Sequence, residues 1–170
     1  MKQTRLILVG GFLGAGKTTL LWETAVRLMN KGLRVGLITN DQAPELVDSE
    51  LLKLSDLRVA EVSGSCFCCN FNGFTDAIKE IRAEASADVI IAEPVGSCTD
   101  LSATIMQPLK QYWNTELKIS PLTVLADPNR LVSILNGGNG GLHPDAAYIY
   151  KKQLEESDII LLSKSDVLKR

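Results

Sequence analysis

Gly10-Gly11-Phe12-Leu13-Gly14-Ala15-Gly16-Lys17-Thr18-Thr19-Leu20-Leu21 follows directly on the apolar run Leu6-Ile7-Leu8-Val9. From Gly11 to Thr18 the residues satisfy G-x-x-x-x-G-K-[ST], the phosphate-binding loop pattern, between a strand and a helix. Each residue type has a physical task. Gly11, Gly14 and Gly16, with the small Ala15, let backbone N–H groups curl into an anion-binding nest, and the positive end of the following helix aims at the same anion. Lys17 would reach the β- and γ-phosphates. Thr18 would place its hydroxyl on Mg²⁺, a cation that takes oxygen ligands and keeps several waters, and Thr19 follows in the first helical turn.

The 170 residues are 45% apolar and 22% charged, the composition of one globular domain with a real core. A net charge of −2 offers no positive field for nucleic acid or anionic lipid. The N-terminal apolar run is shorter than a signal-peptide core and passes straight into the phosphate loop. No stretch approaches the roughly 20 apolar residues of a membrane span. Three of the four cysteines, Cys66, Cys68 and Cys69, lie together, a spacing that suits a metal or redox site better than a disulfide framework. A reducing compartment, the cytoplasm, is expected.

Helical and strand patterns alternate along the chain. Leu21, Ala25 and Leu28 recur at helical spacing, and Gly32 ends that helix. Leu33–Thr39 reads as a second strand, Leu46–Leu54 as a short helix, and Arg58–Val62 as a third strand. Phe74, Ile78, Ile81 and Ala85 line one helix face. Asp88–Ala92 is continuously apolar after its first residue and bounded by Asp88 and Glu93, as in a parallel strand buried on both faces. Thr99–Tyr112 predicts a helix, Pro121–Ala126 a strand, and Ile159–Leu162 a last strand. Two helices lie between those strands, joined by the loop Gly137–Gly141, which lacks a preceding strand and a lysine. The fold class is α/β, a doubly wound, mostly parallel sheet.

In such a sheet the loops leaving the carboxyl ends of the strands share a rim. The phosphate loop, Asp41, the cysteine loop, Glu93, Asp127 and Lys164 should all face it. Asp41 could hold Mg²⁺ or orient the attacking water; an ordinary turn aspartate is the alternative. Glu93 could hold Mg²⁺ through water, and Gly96 could let the backbone approach the γ-phosphate; a capping or turn role is the alternative for both. Lys17, Asp41 and Glu93 are thus the candidate catalytic set. No arginine near the phosphate loop is an obvious finger in cis, so slow turnover is expected unless a partner or second subunit completes the site.

Ser163-Lys164-Ser165-Asp166, directly after the last strand, resembles the guanine-recognition motif [NST]KxD. A carboxylate at Asp166 accepts two N–H donors of guanine that adenine lacks, so GTP is expected over ATP. Cys66-Phe67-Cys68-Cys69 places three soft ligands on one tight turn, suited to Zn²⁺ and other thiophilic ions. Redox sensing and inert buried thiols are the other readings. Three thiolates leave one tetrahedral position, for which Cys98 and His143 are candidates by type; His143, before Pro144, also reads as a helix cap.

Taken together, the phosphate loop, Cys66-Phe67-Cys68-Cys69, Glu93-Pro94-Val95-Gly96 and Ser163-Lys164-Ser165-Asp166 resemble the CobW-type metallochaperone GTPases, relatives of the nickel-insertion GTPases UreG and HypB. The resemblance covers nearly the whole chain. It implies a P-loop NTPase domain of SIMIBI type over residues 1–170, binding GTP or GDP and delivering Zn²⁺, Co²⁺ or Ni²⁺ to a metalloenzyme client, with a link to cobalamin biosynthesis. It also implies a possible nucleotide-dependent homodimer. Two other readings stand beside it: a GTP-dependent activator of a corrinoid enzyme with a structural metal, and a zinc-binding interaction module with a vestigial nucleotide site. Asn40-Asp41 looks more like the nickel-insertion branch than like the asparagine-glutamate of CobW-type members. The family's sheet continues past the guanine motif, so the chain, with only Val167–Arg170 after Asp166, is expected to lack those elements.

Overall fold

The computed structural model describes residues 2–40 and 57–165. Asp41, the helix expected within Leu46–Leu54, and Asp166 with the tail after it lie outside the described residues. In chain order the elements are β1 (Thr4–Gly11), α1 (Lys17–Met29), β2 (Val35–Thr39), β3 (Leu57–Glu61), α2 (Phe71–Ala85) and β4 (Val89–Glu93). A π-helical turn (Ser102–Met106) then opens into α3 (Gln107–Tyr112), followed by β5 (Leu117–Ile119), β6 (Thr123–Ala126), α4 (Pro128–Leu135), α5 (Pro144–Glu155) and β7 (Ile159–Leu162).

The seven strands form one parallel sheet in the order β3-β2-β4-β1-β6-β7, and β5 also pairs with β1. One flank of β1 is therefore shared. Its start, Thr4–Leu6, takes Leu117–Ile119, and its end, Val9–Gly11, takes Thr123–Leu125. β4 sits between β1 and β2, with Leu8 opposite Ala92 and Thr39 opposite Glu93.

Alternation along β4 explains why that strand is apolar throughout. Ile90 and Ala92 join a core with Leu6, Leu8, Phe74 and Ile78, whereas Val89 and Ile91 join another with Leu21, Ala25 and Leu37. Side chains two apart share a face, so a strand covered by helices on both sides has no polar position to spare. A third cluster, Ala126, Ile134, Ala147 and Tyr150, seats α4 and α5 on the β6 side.

Two elements depart from the periodicity reading. Leu117–Ile119 is a strand in a stretch to which the sequence assigns no element, because three residues show no alternation and their pairing depends on β1. The helix expected over Thr99–Tyr112 begins instead with the π turn at Ser102. Pro108 lies just beyond it, near the start of α3. Proline cannot donate to the carbonyl four residues back and its ring crowds that carbonyl, so a widened turn upstream relieves the conflict.

Candidate functional site

The loop between β1 and α1 carries the backbone geometry its glycines permit. Gly14 and Gly16 take φ of 75° and 92°, and Gly11, closing β1, takes 133°. Gly16 is the N-cap of α1 without any side-chain cap, so the first N–H groups of that helix face the loop's hollow. Ala15 is buried and its N–H donates to the Phe12 carbonyl at 3.1 Å, which closes the turn; Thr19 faces solvent.

Beneath the loop, Lys17 is only 6% exposed, and its Nζ lies 3.7 Å from Glu93 Oε1. The Thr18 hydroxyl donates to the Glu93 carboxylate, at 3.2 and 3.1 Å from its two oxygens. Burial lowers the Lys17 pKa against the opposing pull of Glu93, and burial raises that of Glu93 against the pull of Lys17 and Thr18. Each charge is thus undercompensated by the other. A buried ammonium beside a ring of free N–H groups fits a polyanion, and a carboxylate sharing a threonine hydroxyl fits a hard cation. Thr39 Oγ1, opposite Glu93 in the sheet, is buried with no hydrogen-bond partner among the described residues.

Gly96 stands against this loop. A Cβ there would lie 3.0 Å from Leu13 N and 3.1 Å from Lys17 Nζ, so any larger residue would enter the space at the lysine head. The Gln153 amide, from α5, donates to the carbonyls of Gly96 (3.0 Å) and Cys98 (2.9 Å) and holds the turn in place. Gln153 carries no motif, and nothing in the sequence pointed to it.

Lys164 follows β7 in a left-handed conformation, φ 50°, that L residues adopt at a cost. Its Nζ donates to the Gly14 carbonyl at 3.0 Å and to Asp127 Oδ2 at 3.1 Å. Asp127 also accepts from Asn129 N and Arg130 N, capping α4. Although its partial burial works the other way, Lys164 and these N–H groups hold the Asp127 carboxyl below its ordinary value. Ser163 Oγ donates to the Ala126 carbonyl at 3.3 Å. From the next helix, an arginine touches the phosphate loop from outside. Arg130 Nη1 donates to the Leu13 carbonyl at 3.4 Å, and the guanidinium stacks over Phe12. It comes from α4, too far along the chain for any motif to show.

In the cysteine loop Phe67 is the anchor. It is fully buried and stacks on Phe74 with ring centroids 4.4 Å apart. Cys69 N and Asn70 N both donate to the Cys66 carbonyl, and Asn70 caps α2 through Gly73 N. That turn leaves the flanking thiols together, with Cys66 Sγ 3.0 Å from Cys68 Sγ and the sulfurs of Cys66, Cys68 and Cys69 all within 4.8 Å of one another. Burial opposes ionisation of Cys66, but hydrogen bonds from Cys68, Cys69 and Cys98 bring its pKa down to about 7. Burial and the neighbouring Cys66 push Cys68 up to about 11. One thiolate forms readily, and the others need a cation to follow it, as a soft-metal site requires. His143 does not join them; it is 75% exposed and accepts from Asp145 N at the start of α5. The cysteine loop is tied to β2 by Asn40, whose Nδ2 donates to the carbonyls of Val62 (2.6 Å) and Ser65 (2.9 Å).

A parallel sheet with a phosphate loop after β1, a paired lysine and glutamate beneath it, and a thiol cluster on the loop after β3 defines an α/β P-loop GTPase fold carrying a soft-metal ligand set. The chain belongs to the CobW/HypB/UreG family, matching its nucleotide-binding domain over residues 5–170. It is 28% identical to the zinc chaperone CobW of Sinorhizobium sp, across 94% of this chain and 50% of that protein. To the zinc chaperone YeiR of Escherichia coli K12 it is 25% identical, across 96% of this chain and 47% of the other. Among solved structures it resembles the Zn(II)-bound YjiA GTPase from E. coli, with a TM-score of 0.64 at 20% identity, covering 98% of this chain and 51% of that one. That likeness speaks to the fold. The chain spans about half the length of the curated relatives it matches. No helix among the described residues is long and apolar enough to cross a membrane.

Proposed function

We propose that residues 1–170 form the GTP-binding and GTP-hydrolysing domain of a metallochaperone that carries a transition metal on Cys66, Cys68 and Cys69 and delivers it to a metalloenzyme or corrinoid-protein client. The observation that carries this reading is that one chain holds both a three-thiol cluster and a phosphate loop whose Lys17 and Thr18 meet Glu93 at the end of β4. A vestigial nucleotide site would have no reason to keep a buried lysine and glutamate whose charges burial disfavours.

In this reading Lys17 neutralises the β- and γ-phosphates, helped by the N–H groups of Gly14, Ala15, Gly16 and the start of α1. Thr18 and Glu93 are the residues that would hold Mg²⁺, which would supply positive charge against that developing on the phosphates. Gly96 leaves room for the terminal phosphate beside Lys17. Lys164 braces the loop at Gly14, with Ser163 beside it and Asp166 reading guanine. Asp41 follows Asn40, whose amide already holds the cysteine loop at Val62 and Ser65, so a shift of Asp41 toward the nucleotide would be felt by the thiols. The cargo is zinc first, with Co²⁺ and Ni²⁺ suited to the same thiols.

Native mass spectrometry of the chain with Mg²⁺ and either GTP, GDP or ATP, with and without Zn²⁺, tests this directly. One GTP or GDP and one zinc per chain are expected, with little ATP retained. Equal retention of ATP would remove the guanine assignment, and failure to take up zinc would remove the chaperone reading.

A further inference from the structure

Strand β2 is buried from Val35 to Thr39, and its last residue carries the one polar side chain in it. Side chains two apart share a face, so Thr39 lies on the side of Val35 and Leu37, which pack with Leu21 and Ala25 of α1. That helix opens with Lys17 and Thr18. The register partner of Thr39 is Glu93, one strand spacing of about 4.8 Å away. Its backbone is fixed on the other side, where the Thr39 carbonyl accepts from Val62 N at 3.0 Å. Three threonines are buried among the described residues, and two of them use their hydroxyls within the fold. Thr4 Oγ1 donates to the Ala87 carbonyl and Thr75 Oγ1 to the Asn72 carbonyl, both at 2.9 Å. Thr39 is 5% exposed, and its Oγ1 has no partner among the described residues. A buried hydroxyl without a partner costs the fold, and a valine of the same shape would fill that space without the cost.

We propose that Thr39 is a positioning residue for Mg²⁺, its hydroxyl binding a water of the cation's shell that Glu93 also holds. The inference rests on the GTP-binding reading above and adds a residue to it. Mg²⁺ demands near-octahedral geometry and keeps several of its waters, so groups that orient those waters act on its affinity. A hydroxyl has one donor and two acceptor positions, enough to take a water and to give a hydrogen bond to a carboxylate at the same time. Glu93 offers about four acceptor positions, more than the Thr18 hydroxyl and the Lys17 ammonium use. Thr39 therefore acts through Glu93 and water, without touching the ion or the nucleotide. A strand end is a rigid base for such a group. Asn40, the next residue, holds the carbonyls of Val62 and Ser65, so one strand end serves both the cation's outer shell and the cysteine loop.

The test is calorimetric titration of the full chain with a non-hydrolysable GTP analogue over a series of free Mg²⁺ concentrations, the lowest set by excess chelator. Thr39→Val should raise the Mg²⁺ concentration that gives half-maximal tightening by about 10-fold or more, the usual effect of losing an outer-shell partner. Affinity in chelator should not change, and Thr39→Ser, which restores a hydroxyl, should restore the Mg²⁺ requirement of the unaltered chain. In a Glu93→Gln background Thr39→Val should add nothing, because the residue acts through that carboxylate. Denaturant unfolding without Mg²⁺ and nucleotide separates this from a structural role: the midpoint of Thr39→Val should equal or exceed that of the unaltered chain. An unchanged Mg²⁺ requirement, a serine variant no better than valine, or a valine variant that is less stable or fails to fold overturns the assignment of Thr39 and leaves the nucleotide reading standing. An unaltered chain that binds no analogue at any Mg²⁺ concentration overturns both.

Discussion

Strand β4 has an acid at each end, and the two have opposite fates. Asp88, at the amino end, accepts from Arg34 N (3.0 Å), Arg34 Nε and Nη2 (both 3.2 Å) and Lys2 Nζ (2.7 Å). Hydrogen bonds from Arg34 first, then Lys2, hold its carboxyl well below the usual carboxylate range. Glu93, at the carboxyl end, has Thr18 and a lysine at 3.7 Å, and burial raises its pKa despite them. Around Asp88 the rim is closed: Arg82 pairs with Glu116 and Thr4 Oγ1 donates to Ala87 O. Around Glu93 it holds a hydroxyl without a partner among the described residues, a helix start with no side-chain cap and a glycine cleft. A satisfied rim stabilises a fold; an undersatisfied one is arranged for something that arrives later.

The largest effect that would sharpen this contrast is on nucleotide binding. Lys17→Ala should weaken GTP binding by about 2–5 kcal/mol, the usual result of truncating one partner in a buried charge contact. Isothermal titration calorimetry with a non-hydrolysable GTP analogue measures it, and affinity equal to that of the unaltered chain would remove the central role of the loop.

At the opposite end of β4, Asp88→Asn should cost the fold about 1–3 kcal/mol, with the exposed Lys2 arm contributing least, and should leave nucleotide affinity alone. The pH dependence has a definite sign. Because the folded-state pKa of Asp88 is depressed, its contribution is complete above the unfolded value of about 3.9 and is lost as pH falls through the folded value. Denaturant midpoints of the two chains should therefore converge at strongly acid pH. Glu93 acts in reverse, since a raised folded-state pKa makes its ionised form a cost at neutral pH that acid relieves.

The smallest effect is the most diagnostic. Replacing the rim pair together, Lys17→Met with Glu93→Leu, should leave the unfolding midpoint unchanged or raise stability by about 1 kcal/mol, as apolar replacement of buried ion pairs often does. Denaturant unfolding reads it out. A clear loss of stability would mean that the pair holds the fold together, and the contrast between the two ends of β4 would fail.

Much of the fold was legible because its signals are local. The phosphate loop is a contiguous motif, β4 is a continuous apolar run, and Gly32 and Asp127 mark helix boundaries by residue type. What was not legible is what the chain assembles from a distance. β5 exists only because β1 presents a free flank at Thr4–Leu6. Arg130 reaches Leu13 across 117 residues of sequence, and Gln153 reaches Gly96 across 57. Of the candidate site, Lys17, Thr18, Glu93 and the cysteine turn were readable by spacing. The sequence suggested Cys98 and His143 as further ligands only by residue type, and of these His143 proves to be an exposed helix cap.

Metal and nucleotide binding should be coupled, because Asn40 ties the cysteine loop to the end of β2, where Thr39 stands opposite Glu93 in the sheet. The direct measurement is a Zn²⁺ titration against a competing chelator with the non-hydrolysable GTP analogue and Mg²⁺, with GDP and Mg²⁺, and without nucleotide. Zinc affinity should be highest with the GTP analogue, by about 5- to 150-fold, a coupling of roughly 1–3 kcal/mol. Linkage requires zinc to tighten the analogue by the same factor. Identical zinc affinity in all three states would contradict the account and leave the cysteines a structural clip on a nucleotide-binding domain.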